Sequence, residues 1–224
     1  ADGTLGTEDD ISHRIAVVGF ASKSGYGDNT ELLSIAGSNS GSVGVAYHNI
    51  TDQNLKDVLQ KVDTSAGQTM VSNAIDALAA SGATRTDLGL DMAQRILSAN
   101  PVQPNEKRSR VVIVFTDGAP TSFNGFEKDV ADNAITYAGT IKTTGATVYT
   151  IGIFAGANAV SAGTEPSGDL DQNSKSMNSA CNWFMQQVSS NNGTPRTPSY
   201  YLSAADAGSL SSIFQQISDN IETG

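Results

Sequence analysis

A single cysteine, Cys181, stands in a chain of 224 residues. No internal disulfide is possible, so packing alone must hold the fold. Charge is scarce as well. Lys, Arg, Asp and Glu make up 16% of the residues, and the surface must be built largely from Ser, Thr, Asn and Gly. Positive charge is scarcest: 13 Lys and Arg stand against 23 Asp and Glu, for a net charge of −10. Such a field repels phosphate backbones and anionic lipid, so neither nucleic acid nor a membrane surface is an expected partner, while cations are favoured. No apolar run is long enough to span a bilayer, and no secretory leader is visible. The near absence of cysteine fits the cytosol and an exported bacterial surface protein alike. The abrupt start at Ala1-Asp2-Gly3 and the end at Thr223-Gly224 suggest a piece of a longer polypeptide.

Most enzyme signatures are missing too. There is no phosphate-cradling G-x-x-x-x-G-K-[ST] loop, no dinucleotide G-x-G-x-x-G after a strand and no G-x-S-x-G elbow. The two histidines, His13 before a strand and His48 at the end of one, have no nucleophile beside them in a motif. Cys181 lies in an apolar helical run and reads as a small buried side chain. Asp169-Leu-Asp171-Gln-Asn173 has the alternation of a calcium loop, which also needs Gly at its sixth position and Glu at its twelfth. Ser174 and Ala180 stand there, so the segment reads as a solvated acidic loop. Asn49-Ile-Thr51 and Asn192-Gly-Thr194 are glycan acceptors only in a secreted eukaryotic protein.

What the chain does contain is a regular alternation. Residues 14–20 (RIAVVGF) form a strand-type run, and residues 31–36 and 43–48 predict a hairpin across Gly37–Gly44. Helical spacing covers 52–62 (Leu55, Val58, Leu59, Val62), 69–80 (Val71, Ile75, Leu78) and 87–99 (Leu88, Met92, Ile96, Leu97). Residues 111–115 (VVIVF) are wholly apolar, as a strand covered on both faces should be. A long helix over 127–143 ends at Gly145. A buried strand at 147–154, an exposed loop at 155–175, a helix at 177–189, a short strand at 200–203 and a last helix at 210–221 complete the chain. Strands alternating with helices call for right-handed crossovers and a mostly parallel sheet. Ligands of such sheets bind beyond the carboxyl ends of the strands, and Asp117 stands at such an end.

One constellation carries chemistry. Gly82-Ala83-Thr84-Arg85-Thr86 opens the helix over 87–99, and Asp117 follows Thr84 by 33 residues in VVIVFTDG. A hydroxyl before a helix and a carboxylate after a strand fall on the same rim of the sheet. Oxygen ligands of this type suit a hard divalent cation. Taken singly, the residues read as a helix N-cap at Thr84 or Thr86 and a polar turn at Asp117.

The succession RIAVVGF, GATRTDLGLDMAQRIL, RSRVVIVFTDGAPT and TVYTIGIF, closed by a short strand and a last helix, resembles a von Willebrand factor A domain over residues 14–221. The resemblance implies a doubly wound, mostly parallel α/β sheet with helices on both faces, in a single domain spanning residues 1–224. It also implies a metal-ion-dependent adhesion site on the rim. Mg²⁺ there (or Mn²⁺ or Ca²⁺) is held in part by Thr84 and Asp117 and completed by an acidic side chain of a protein ligand. The family's Asp-x-Ser-x-Ser motif, at the end of its central first strand, is absent. Its nearest approach is Phe20-Ala21-Ser22-Lys23-Ser24, where Phe20 replaces the aspartate. The central first strand is therefore expected to be missing from this chain, leaving the domain N-terminally incomplete. Cation binding is expected only if that segment is supplied.

The tail, WFMQQVSSNNG to YYLSAADAGSLSSIFQQISDNI, is similar to A domains of wall-anchored, pilus-like surface proteins of Gram-positive bacteria. We therefore expect an extracellular, cell-wall-attached adhesion module that binds a host or matrix protein and is not an enzyme. The alternative is a metal-free structural spacer of a surface protein or pilus.

Overall fold

Val111–Thr116 and Thr147–Gly152 lie side by side, two β-branched, apolar runs of the kind that tolerates burial on both faces. The computed structural model describes residues 13–23, 27–28, 30–36, 43–78, 82–104, 106, 108–204 and 207–223. Its strands are β1 Arg14–Ile15, β2 Val18–Gly19, β3 Ser22–Lys23, β4 Gly27–Asp28, β5 Glu31–Ala36, β6 Val43–Ala46, β7 Gln60–Lys61, β8 Val111–Thr116, β9 Thr147–Gly152 and β10 Tyr201–Ser203. Its helices are α1 Asp52–Asp57, α2 Ser65–Asp76, α3 Thr86–Ala99, α4 Lys128–Thr143, α5 Met177–Val188 and α6 Leu210–Thr223.

Strands β10, β9 and β8 form a parallel sheet in that order, with Thr116, Gly152 and Ser203 in register at its carboxyl rim. Side chains alternate across it. One face, with Val112, Val114, Val148 and Tyr201, packs on α3, α4 and α5 through residues such as Leu90, Ala134, Ile141 and Phe184. The other, with Tyr149, Ile151 and Leu202, packs on α6 through Ile213 and Ile217. This is the helix-flanked α/β arrangement that the alternation predicts. The end of α4 is as expected: Gly145, just past the cap Thr144, has φ +81° and continues the chain where a side chain would be strained.

A second sheet, β2-β5-β6, is antiparallel and packs Ile35 and Val45 against Leu55, Val58, Met92 and Ile96. Helix α3 therefore serves both sheets: Leu90, Ala93 and Leu97 face the parallel one, and Met92 and Ile96 face the antiparallel one. Tyr47 donates its hydroxyl proton to Asp91, Arg95 lies over the Tyr47 ring, and Asn100 donates to the Leu55 carbonyl at 2.8 Å.

Among the described residues no strand joins the two sheets, and β8 has β9 as its one partner. The consequence shows on the α6 side of β8, where Ile113 is 39% exposed and Phe115 42%.

Two sequence expectations need correction in the N-terminal half. The run at 14–20 is two short strands, because the Val17 N–H goes to the buried Ser34 hydroxyl at 2.9 Å, while Arg14–Ile15 pairs with β7 and Val18–Gly19 with β5. The helix expected over 52–62 stops at Asp57, because Ser34 Oγ donates to the Val58 carbonyl and Gln60–Lys61 is recruited as a strand. The hairpin turn at 37–42 and the end of the helix expected at 79–80 lie outside the described residues, while the described part of that helix begins earlier, at Ser65, capped by Thr64. Cys181 is buried as expected, and burial pushes its thiol up to about 12.

Met92 is fully buried at the junction of the two sheets. Met92→Ala should cost about 2–5 kcal/mol, read as a lowered midpoint in urea unfolding.

Candidate functional site

The carboxyl rim of the parallel sheet is set by the common end of β8, β9 and β10. Asp117 leaves the end of β8 with an exposed side chain. Its neighbour Gly118 lies so near Thr84 that a Cβ there would stand 3.2 Å from Thr84 Oγ1. Thr121 N–H donates to the Thr84 carbonyl at 3.0 Å, tying the loop after β8 to the segment before α3. Thr84 and the Asp117–Gly118 turn are thus neighbours on one rim, although 33 residues separate Thr84 from Asp117 in sequence. Close by in the chain, the Thr86 hydroxyl is fully buried and has no hydrogen-bond partner.

The electrostatics of this corner are mixed. The first turn of α3 brings the positive end of a helix dipole and the Arg85 guanidinium. Arg85 is engaged: Nε and Nη2 each reach a carboxylate oxygen of Asp87 at 2.8 Å, and Asp87 is buried. This bidentate pair offsets the cationic charge beside Thr84 and leaves Asp117 as the outward-facing carboxylate of the turn.

The loop following Asp117 is held by a carboxylate that sequence reasoning did not single out. Glu127 accepts from Thr121 Oγ1 at 3.0 Å, from Ser122 Oγ at 2.5 Å and from the Phe123 N–H at 3.0 Å. Glu127 N–H in turn donates to the Pro120 carbonyl at 2.9 Å. The signal was a Glu preceding a helix and five residues after a Ser, too common a pattern to stand out. The loop at 155–175 is more tied down than an exposed loop need be. Leu170 makes a two-way backbone bridge to Phe126 at 2.9 Å, and Asp169 Oδ1 accepts from the Lys128 N–H at 2.8 Å, capping α4 from a distance. Asp169 therefore works as a helix cap, and Asp171 and Asn173 are exposed.

Thr84 and Asp117 fit a cation in part. Mg²⁺ accepts a small number of protein oxygens when waters fill the rest of its shell, and a threonine hydroxyl with one carboxylate is chemically suitable. Among the described residues no group of three or more His, Cys, Asp or Glu side chains is placed to hold a metal. A further carboxylate would have to come from elsewhere. The histidines stand in other surroundings: the His13 carbonyl accepts from the Val62 N–H at 3.1 Å, and His48 packs edge-on against Tyr47.

Two outcomes follow from these contacts. Asp87→Ala takes the carboxylate from a largely buried pair and should cost about 3 kcal/mol, the low end for such pairs because Arg85 keeps some access to water. Removing Arg85 as well should recover part of the loss, read as a coupling energy in a double-mutant cycle of chemical unfolding. Partial burial pushes the Glu127 carboxyl up, but the donations from Ser122, Thr121 and the Phe123 N–H outweigh it and hold the group below the ordinary carboxylate range. A depressed folded value contributes stability above the unfolded value, about 4.3, and loses it as pH falls through the folded one. The stability deficit of Glu127→Gln should therefore be full at neutral pH, begin to shrink as pH falls toward the unfolded value of about 4.3 and vanish only below the folded one, measured by unfolding across pH.

Among the described residues no helix is long and apolar enough to cross a membrane. No curated protein matches the chain. Residues 58–216 match the model of the von Willebrand factor type A domain, a domain that generally mediates protein–protein interaction or adhesion. The match begins after β1–β6 and α1 and takes in β7, α2, α3, the whole parallel sheet, Thr84 and Asp117. Covering more than half of the chain, it shows that this protein belongs to the von Willebrand factor type A domain family.

Proposed function

We propose that this chain is an extracellular adhesion module that binds a protein ligand through a divalent cation, Mg²⁺ or a similar ion, on the carboxyl rim beside Thr84 and Asp117. The observation that carries the reading is the closeness of Thr84 Oγ1 to Gly118, where an added Cβ would stand 3.2 Å away, next to the outward carboxylate of the turn. Thr84 would supply a hydroxyl oxygen and Asp117 a carboxylate, each directly or through water, and an acidic side chain of a host or matrix protein would complete the shell. The cation would bridge two carboxylates that otherwise repel each other.

The remaining protein ligands are proposed to arrive on a strand that adds to the free edge of β8. Support comes from that edge itself. Its outer N–H and C=O groups have no strand partner among the described residues, and Ile113 and Phe115 beside it are half uncovered. Backbone groups of an interior strand are almost always paired, and exposed edges are where extended segments add. This strand would occupy the place of the family's first strand, whose Asp-x-Ser-x-Ser motif the chain lacks.

Placement on a Gram-positive cell wall, in a pilus-like protein, rests on the similarity of the tail, WFMQQVSSNNG to YYLSAADAGSLSSIFQQISDNI, to A domains of such proteins, and the low-charge, Ser/Thr/Asn-rich composition is compatible with it. A non-enzymatic role is supported by the surroundings of His13 and His48, which stand apart from the rim with no nucleophile beside them in a motif. A second reading, a metal-free spacer, is favoured by the lack of a three-ligand acidic cluster among the described residues.

Thermal melting of the natural full-length protein separates the two. A cation at 100 times its dissociation constant adds about 2.7 kcal/mol to a native state that binds it, a rise of roughly 5–10 °C in Tm for a domain of this size. The expected result is that rise on replacing EDTA with excess Mg²⁺, and its loss in Asp117→Ala. Equal melting temperatures in EDTA and Mg²⁺ would establish the spacer.

A further inference from the structure

Among the described residues Phe123 is the most exposed aromatic side chain, 74% open to solvent, and it stands six residues after Asp117 on the same loop. An exposed phenylalanine on a loose loop would carry little meaning. This one is fixed. Its N–H is shared between Thr121 Oγ1 at 3.2 Å and Glu127 at 3.0 Å. Glu127 also takes the Thr121 and Ser122 hydroxyls, and the Thr121 N–H holds the Thr84 carbonyl. Phe126, three residues on, is fully buried and bridged to Leu170. The backbone on both sides of Phe123 is thus anchored to the segment that carries Thr84 and to α4, while the ring is left in water. A carboxylate with three donors orders a loop at the expense of its own freedom, and nothing inside the domain gains from where the ring then sits.

Aromatic side chains most often dominate protein interfaces, and a backbone held in place before binding leaves less freedom to be lost. Resting on the cation reading above, we propose that Phe123 is a specificity-determining contact of the rim. It selects ligand segments in which a branched aliphatic or aromatic side chain lies within about two residues of the cation-binding carboxylate. The class of partner is an acidic–apolar segment of a protein, distinct from a purely acidic one. The ring offers an apolar face, and a cation held beside Asp117 would receive the ligand carboxylate that Asp117 alone repels.

The test uses random heptapeptides displayed on phage, selected on the natural full-length protein in Mg²⁺. Enriched peptides should carry Asp or Glu with Leu, Ile, Val, Phe or Trp no more than two positions away. Synthetic versions should bind Phe123→Ser ten- to a hundredfold more weakly, and Phe214→Ser, an exposed apolar change on α6, with unaltered affinity. Enrichment of acidic peptides without a neighbouring apolar residue, equal binding by Phe123→Ser, or no enrichment at all would overturn the proposal. The Mg²⁺ dependence of binding reads the underlying site separately. Peptides that require Phe123 but bind equally in EDTA would remove the cation and leave the aromatic anchor standing. Mg²⁺-dependent peptides indifferent to Phe123 would do the reverse.

Discussion

Helix α3 has to satisfy two cores at once. Leu90, Ala93 and Leu97 lie in the parallel-sheet core, while Met92 and Ile96, on the adjoining stripe of the same helix, lie in the core of β2, β5 and β6. Where a continuous sheet would bind strand to strand, the two halves here are held by one helix and by polar contacts to it. Tyr47 reaches Asp91 and Arg95, and Asn100 reaches Leu55. These contacts are spread from the middle of the helix to its C-terminal end, so the N-terminal half is held along α3 and not at a single point. The position of Thr84 depends on this helix too, because Thr84 sits two residues before its first turn.

The rim inherits its character from that constraint. A helix start is electropositive, which by itself would discourage a cation beside Thr84. The Arg85–Asp87 pair meets this by closing the nearest guanidinium onto a buried carboxylate, leaving Asp117 to face outward. Glu127 is turned the other way, into the loop, where hydroxyl and N–H donors use its charge. Three carboxylates near one corner thus have three roles: a partner for arginine, an organiser of the loop, and one left for solvent. Position, more than residue type, separates them.

The C-terminal two thirds were largely legible in the sequence. Helices over 86–99, 128–143 and 177–188 and the strands between them have apolar spacing strong enough to survive any reasonable packing. The N-terminal half was less so, because five of its seven described strands are two residues long and key hydrogen bonds run through side chains. Ser34 alone, fully buried, takes the Val17 N–H and donates to the Val58 carbonyl. It thereby interrupts one expected strand and one expected helix, and a serine in an apolar run carries no periodic signal that would announce this. At the rim, Thr84 and Asp117 were found through their spacing and family resemblance. The contacts that organise their surroundings were not found. Glu127, Asp169 and Phe123 act through partners 2 to 41 residues away, and nothing in their local pattern distinguishes them from solvated loop residues.

Among the described residues β8 is paired along one edge, and this leaves the rim an unfinished side. Antiparallel sheets commonly leave a face or an edge to water, whereas an all-apolar strand in a parallel sheet is normally an interior one. VVIVF has the composition of an interior strand and the neighbours of an edge strand. Val112 and Val114 on its α3 side lie in a core, while Ile113 and Phe115 on the α6 side are near 40% exposed. Within the parallel sheet the mismatch is confined to this strand and this face; on the same side, Ile151 is fully buried beneath α6. A surface selected for solubility would carry polar residues at 113 and 115, so their apolar identity is best accounted for by cover. A strand adding there would run alongside β8, and its end would fall at the rim beside Asp117, where the cation reading lacks oxygen ligands. The same addition that would pair the backbone of β8 would place new side chains next to Thr84 and Asp117, so completion of the core and completion of the site would be a single event.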